Sequence, residues 1–174
     1  MQEHDHWQMP DWWCRKERPT SDETYFENMC RVIFQEGLNW HVIDGKWPTT
    51  RKAFADFNTN KIASFTDNDV ECLMKNEGIV RNRSKIEAII YNAQGFKALK
   101  ERYGSFQKYL DSLDKSNNYD LVVKDITGKF KHLGAPSASL FLYTVGEKIE
   151  PWYTLASIFL FLTTFLSSSS SLSW

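Results

Sequence analysis

Between Asn82 and Arg102 the apolar residues Ile86, Ile89, Ile90, Ala93 and Phe96 recur at intervals of three and four. That spacing gathers them on one side of an α-helix and scatters them across both faces of a strand, so the stretch is predicted to be an amphipathic helix with one buried face. Gly104 ends it, and Ser105 caps a shorter helix carrying Phe106, Tyr109, Leu110 and Leu113. The same period occurs on both sides. Thr20 and Glu23 fit a capping box, with Tyr25, Met29, Val32 and Ile33 following at helical spacing up to Gly37. Trp47-Pro48 is expected to break the chain, with a short helix from Thr49 to Phe57. Thr66 reads as another N-cap, ahead of Val70, Leu73 and Met74, and Gly78 closes that helix. Ser116-Asn117-Asn118 reads as a loop. Pro136 suits the first turn of a helix carrying Ala138, Phe141, Leu142 and Val145, which Gly146 ends. No strand series and no internal repeat emerge. The expectation is an all-α fold of short helices packed at angles.

The 174 residues suffice for one domain with a real core. Charged residues make up 25% and hydrophobic ones 42%, which excludes a disordered chain, a collagen-like chain and a disulfide scaffold. The three cysteines, Cys14, Cys30 and Cys72, are widely spaced and form no CxxC pair, which points to a reducing, intracellular compartment. The acidic start, Met1 to Asp5, leads into no apolar signal region. Aromatic residues reach 15%, enough to fill a core and also to furnish surfaces on which flat ligands stack.

Composition changes abruptly near Trp152. From Pro151 to Trp174 there is no charged residue, and Trp152–Leu166 is mostly apolar before the serine run Ser167–Ser171. A spanning helix needs about 20 apolar residues, so membrane anchoring by this tail is not favoured. The chain is therefore divided into an irregular N-terminal segment, 1–19, a helical domain, 20–152, and an uncharged apolar and Ser-rich tail, 153–174.

The formal net charge of −1 hides a local imbalance. Residues 1–28 carry seven acidic groups against three basic ones, whereas residues 78–103 carry six basic against two acidic. A basic segment in a neutral chain can hold a polyanion, and a mixed-charge helix that is merely solvated would look the same. Three clusters carry potential chemistry. In Phe34-Gln35-Glu36-Gly37-Leu38-Asn39-Trp40, polar groups and a large ring meet at a helix end. In Gly78–Lys85, Arg81, Arg83 and Lys85 crowd the entry to a helix whose free N–H groups favour anions. In Lys129–Ser137, a Gly-containing turn between two helices could offer N–H groups to a phosphate, with Lys129 and Lys131 adding charge. A helix end, a solvated loop and an ordinary turn account for each cluster separately.

Their order is more specific. TYFENMCRVIFQEGLNW (Thr24–Trp40), FTDNDVECLMKNEGIVRNRSKIEAIIYNA (Phe65–Ala93) and FKHLGAPSASLFLYTVGE (Phe130–Glu147) resemble the DNA-3-methyladenine glycosylase I family of the helix–hairpin–helix DNA glycosylase superfamily, over roughly Arg18 to Pro151. The resemblance implies a helix–hairpin–helix DNA glycosylase-like helical domain. It implies a monofunctional enzyme of base excision repair that flips alkylated purines such as 3-methyladenine out of duplex DNA and hydrolyses the N-glycosidic bond. It implies the following roles: Trp40 stacks on the base; Gln35, Gly37 and Leu38 border the pocket or enter the gap left by the extruded base; the turn around Gly134, with Ser137, grips phosphate. Arg81, Arg83, Lys85 and Lys131 are the candidate phosphate contacts. No lysine matches a position for a lyase step.

Two departures stand out. Where the family places a pocket glutamate, this chain has Val32, which accepts no hydrogen bond; Glu36, one turn on, is the candidate replacement and, with Trp40, the expected catalytic pair. Family members also tie their termini with Cys and His ligands to zinc. Here His4, His6 and Cys14 lie near the start but residues 133–174 contain neither Cys nor His, so no structural zinc and no cofactor are expected. His132 replaces the usual earlier glycine of the hairpin. The superfamily's aspartate has no clear counterpart; Glu147 and Glu150 lie nearby, and Tyr143 is expected in the core. The expected partner is double-stranded DNA with a damaged base, bound by a monomer without an obligate protein partner. The alternatives are a helix–hairpin–helix protein that binds DNA without excision and, less favoured, a tail-anchored membrane-associated protein.

Overall fold

The computed structural model describes residues 12–13, 17–38 and 40–150, with Trp40 by its backbone alone. Among these the chain forms eight α-helices: α1 Asp22–Gln35, α2 Trp40–Ala53, α3 Thr59–Ile62, α4 Asp67–Lys75, α5 Arg83–Tyr103, α6 Phe106–Asp111, α7 Ser116–Lys129 and α8 Ala135–Thr144. A 3-10 turn, Ala55–Phe57, joins α2 to α3. No strand occurs among the described residues, and the fold is all-α, as the periodicity predicts.

Short polar side chains start the helices. Thr66 N and Oγ1 both donate to Asp69 Oδ2, at 2.7 and 2.8 Å, at the head of α4. Asn82 Oδ1 accepts from Lys85 N at 3.1 Å and Ser105 Oγ from Lys108 N at 3.1 Å, opening α5 and α6. The cap of α1 is Ser21 rather than Thr20: Ser21 is the extended residue directly before the helix, and its Oγ accepts from Thr24 N at 3.2 Å.

The expected break at Trp47-Pro48 does not occur, and α2 runs through both residues. Proline removes one ladder N–H, but buried anchoring outweighs the loss. Trp47 Nε1 donates to Glu27 Oε1 at 2.7 Å, and Thr50 Oγ1 donates to Lys46 O at 2.9 Å. The stretch Thr49–Phe57 thus divides into the end of α2 and a left-handed turn, Ala55, Asp56 and Phe57 at φ 50, 53 and 57°. The expected loop at Ser116–Asn118 is a second left-handed turn, Asn117, Asn118 and Tyr119 at φ 49, 54 and 67°.

α1 runs through the middle, packed against α2, α5, α6 and α8. Aromatic rings fill much of the interior. Phe96 and Phe106 stack with centroids 4.0 Å apart, and Phe26, Phe130 and Phe141 surround them. A neighbouring set joins Phe34, Trp47, Phe54 and Phe57. Buried polar contacts fix the orientation of α1: Asp22 Oδ1 accepts from Phe106 N at 2.8 Å, and Asn28 Nδ2 donates to Thr144 O at 3.1 Å.

Within the segment 1–19, Trp12 and Trp13 are buried, and the Arg31 guanidinium lies between the rings of Trp12 and Trp47, 4.8 and 4.5 Å from their centroids. Gly146, at φ +75°, brings the end of α8 against the backbone of Glu17, where a Cβ would meet the Glu17 carbonyl at 3.1 Å. Glu147 follows in a buried cluster with Arg18, Lys115 and Tyr119. The stretches around Arg18 and Glu147 are thereby joined beside α7. No helix among the described residues is long and apolar enough to cross a membrane. The tail 153–174, with the anchor reading placed on it, lies outside the described residues, as do His4, His6 and Cys14.

Candidate functional site

The last turn of α1 has no basic residue to meet its free carbonyls. Lys85, from the first turn of α5, supplies one. It is only 7% exposed, and its Nζ donates to Phe34 O at 3.2 Å and Glu36 O at 2.7 Å. Burial lowers the pKa of its ammonium, and the Glu36 carboxylate opposes that shift in part. Beyond this clamp the backbone reverses through Gly37 at φ +73°, a conformation that suits glycine, and Leu38 N closes the turn on Gln35 O at 3.1 Å. Gln35 is buried with its Nε2 unpaired, while Leu38 is 38% exposed, a large apolar side chain facing solvent. Val32 is 1% exposed within the core. Trp40 opens α2; its side chain, like Asn39, lies outside the described residues.

The second segment is the turn between α7 and α8. Phe130 and Leu133 are buried and pin it from within. Asn92, fully buried on α5, grips the backbone of Lys131 twice: its Oδ1 accepts from Lys131 N at 2.8 Å and its Nδ2 donates to Lys131 O at 3.0 Å. His132 keeps the left-handed backbone that a glycine would take, at φ +55°. That conformation costs about 1–2 kcal/mol for a residue with a Cβ. The ring of His132 also meets Ser84 Oγ on α5, 2.8 Å from its Nε2, a contact glycine lacks. Gly134 caps α8 at an ordinary φ of −74°, and a Cβ there would meet only Pro136 Cδ at 3.8 Å. Packing within the chain therefore does not require glycine at this position.

The two segments are joined directly. Ser137 Oγ, in the first turn of α8, donates to the carboxylate of Glu36. The carboxylate thus sits at the positive end of a helix, where an anion is favoured. The candidate site is this meeting of the 35–38 turn, the start of α5 and the 131–137 hairpin. Two surface cavities of about 200 and 220 Å³ flank Phe65 instead, and neither is lined by the turn or the hairpin.

The four expected phosphate contacts are not equivalent. Arg81 is exposed and without a partner among the described residues. Lys131 holds its ammonium 4.1 Å from the ring of the exposed Tyr91. Arg83 is exposed but paired with Glu71 at 2.6 Å and Glu87 at 3.8 Å. Lys85 is turned inward, and its Nζ donates to the backbone carbonyls of Phe34 and Glu36. Glu147 and Glu150 stand away from this meeting point: Glu147 is bound to Arg18 and Lys115, and Glu150 N donates to Asn118 Oδ1 at 2.7 Å. Among the described residues no group of Cys, His, Asp and Glu is arranged to hold a metal.

Asn92, Ser84 and the inward role of Lys85 are absent from the sequence reading. One signal was present: Lys85 and Asn92 lie seven residues apart on the apolar stripe of α5, so both were placed to be buried.

The methyladenine glycosylase family model matches residues 4–131. The DNA-3-methyladenine glycosylase of Haemophilus influenzae is 34% identical over 101 residues, covering 58% of this chain and 53% of that protein. DNA-3-methyladenine glycosylase 1 of Escherichia coli is 33% identical over 91 residues, covering 52% and 49%. The chain thus spans about half the length of these curated relatives. A solved 3-methyladenine DNA glycosylase I from Staphylococcus aureus, described for its recognition of 3-methyladenine, superposes with a TM-score of 0.67 at 27% identity, covering 78% of this chain and 83% of that one.

Proposed function

Because the chain belongs to the methyladenine glycosylase family, we propose that it is a monofunctional DNA glycosylase that releases 3-methyladenine and related alkylated purines from duplex DNA. The observation that carries this reading is the junction of the 35–38 turn with the 131–137 hairpin through Ser137 and Glu36, braced from α5 by Lys85, Ser84 and Asn92. A segment that faces a base and a segment that holds the backbone must keep a fixed offset for one nucleotide to be extruded, and these contacts fix it.

An alkylated purine is cationic and leaves readily as a neutral base. Trp40 stacks on its face, and the Glu36 carboxylate supplies the negative group near the charge that develops on the sugar. The C1′–N bond breaks with its electron pair moving to the base, water oxygen bonds to C1′, and the water proton passes to solvent. Leu38, exposed and apolar, fills the gap left in the duplex. Gly134 leaves room at the start of α8 for a phosphate to approach the backbone N–H groups. Val32, sealed in the core where the family's carboxylate is expected, favours a second reading, a DNA-binding protein without excision.

The test is release of 3-methyladenine from methylated duplex under single-turnover conditions, beside binding to the same duplex. Release is expected, falling about tenfold (~1.4 kcal/mol) in Glu36→Gln and in Trp40→Ala. Binding without release selects the second reading. Binding should also weaken with salt. Arg81→Gln and Lys131→Gln are each expected to reduce the slope of log affinity against log salt by about 1. Arg83→Gln should change it less, since Glu71 already neutralises that charge. Unchanged slopes in the first two variants would remove them from the phosphate face.

A further inference from the structure

We propose that Lys85 is a positioning residue: its buried ammonium, held by the carbonyls of Phe34 and Glu36, sets the conformation of the turn that presents Gln35, Gly37, Leu38 and Trp40 to the extruded base, and it does not contact DNA.

Four observations support this. First, α1 ends with no cation of its own, so the carbonyls at its C-terminus need an outside donor. Second, Lys85 meets one carbonyl inside the helix and one beyond it, at 3.2 and 2.7 Å. A donor that bridges those two positions fixes where the helix stops and where the reversal through Gly37 begins. Third, the residue is buried although the two cations just before it in the same basic segment, Arg81 and Arg83, are exposed. Desolvating an ammonium is costly unless its donors are used, and here two are spent on this turn. Fourth, Lys85 belongs to the first turn of α5, and Asn92, two turns further on, holds the hairpin. One rigid helix therefore sets both the base-facing turn and the backbone-holding turn, and Lys85 is its contact with the former.

The inference rests on the excision reading for its consequence in catalysis but not for its structural content, so the test has one arm for each. Lys85→Met keeps the length of the side chain and removes the charge and its donors. In the first arm, hydrogen exchange is read at the amide of Leu38, which is bonded to Gln35 O. Exchange is expected to quicken at least tenfold in Lys85→Met, while amides in the middle of α5 keep their rates. Unchanged exchange at Leu38 overturns the proposal whether or not the protein excises bases.

In the second arm, affinity for undamaged duplex and its salt slope are expected to stay as in the parent, while single-turnover release of 3-methyladenine falls at least thirtyfold. A salt slope reduced by about 1 would make Lys85 a phosphate contact and overturn the proposal, as would parental release. A variant carrying Lys85→Cys in a Cys14→Ser, Cys72→Ser background, alkylated with bromoethylamine, rebuilds an ammonium on a side chain of nearly the same length. Recovery of both Leu38 protection and release to within threefold of the parent is expected. Failure of the rebuilt ammonium to restore protection in a folded protein counts against the proposal. If the parent itself releases no base, the excision reading fails and the exchange arm alone decides the role of Lys85.

Discussion

Glu147→Ala is expected to lower the unfolding free energy by about 3 kcal/mol, the lower end of what removing one partner of a buried ion cluster costs. The Glu147 side chain is only 3% exposed. It faces Arg18 at 2.8 Å, Lys115 Nζ at 2.9 Å and the hydroxyl of Tyr119 at 2.9 Å. Alanine leaves two cations and a phenol around an empty space. The cost stays at the low end because Arg18 and Lys115 are about one-quarter exposed, and both also reach Asp111, at 2.8 and 3.0 Å. For a chain of this length the loss corresponds to roughly 10 °C in Tm. Glu147→Gln retains an acceptor for Tyr119 and should lose less. Thermal or urea unfolding decides it, and a loss below about 1 kcal/mol, the range of exposed pairs, would show that water already satisfies these groups.

The same cluster gives the sign of an acid dependence. Burial alone would raise the carboxyl pKa of Asp111, but hydrogen bonds and charge from Lys115 and Arg18 outweigh it and hold it below the usual carboxylate range. A depressed folded pKa contributes stability that is present above the unfolded value, about 3.9, and is lost as pH falls through the folded value. The contribution of Asp111 should therefore begin to decline as pH falls towards about 4 and be gone only once pH has passed below the depressed folded value.

The elements of the fold were readable where local chemistry decides them. The apolar stripe of α5 and the caps Thr66 and Ser105 depend on residues three or four apart, and those distances are visible in a sequence. Local reasoning misled at Trp47-Pro48, where anchoring of Trp47 by Glu27, twenty residues away, carries α2 through a proline. The site was legible only as segments. The clusters at 34–40, 78–85 and 129–137 stand out by composition, yet charge alone does not say which cations face outward. Arg81 and Lys85 look alike in a basic run; the carbonyls of α1, some fifty residues away, draw one inward and leave the other exposed. His132 likewise reads as a lost glycine until its contact with Ser84 on α5 is seen.

If the chain binds duplex as proposed, Asn92→Ala should loosen the hairpin and weaken that binding together. Two hydrogen bonds disappear at once, both to the backbone of Lys131, and neither group has another partner close in sequence. Leaving a buried donor or acceptor unsatisfied costs about 1–3 kcal/mol, so an overall loss of about 2–4 kcal/mol is expected, the carbonyl being the better able to find water. Affinity for undamaged duplex should fall about tenfold at fixed salt, because the N–H groups at the start of α8 would no longer be held at a fixed offset from the core. Asn92→Asp is the informative companion. It keeps an acceptor for Lys131 N but turns a second oxygen toward Lys131 O and buries a charge, so it should be no more stable than the alanine variant although it is nearly isosteric. Equilibrium unfolding and duplex binding by the same preparations check both halves. A variant that loses stability but binds duplex like the parent would show that the hairpin's hold on the core and the chain's hold on DNA are separate properties.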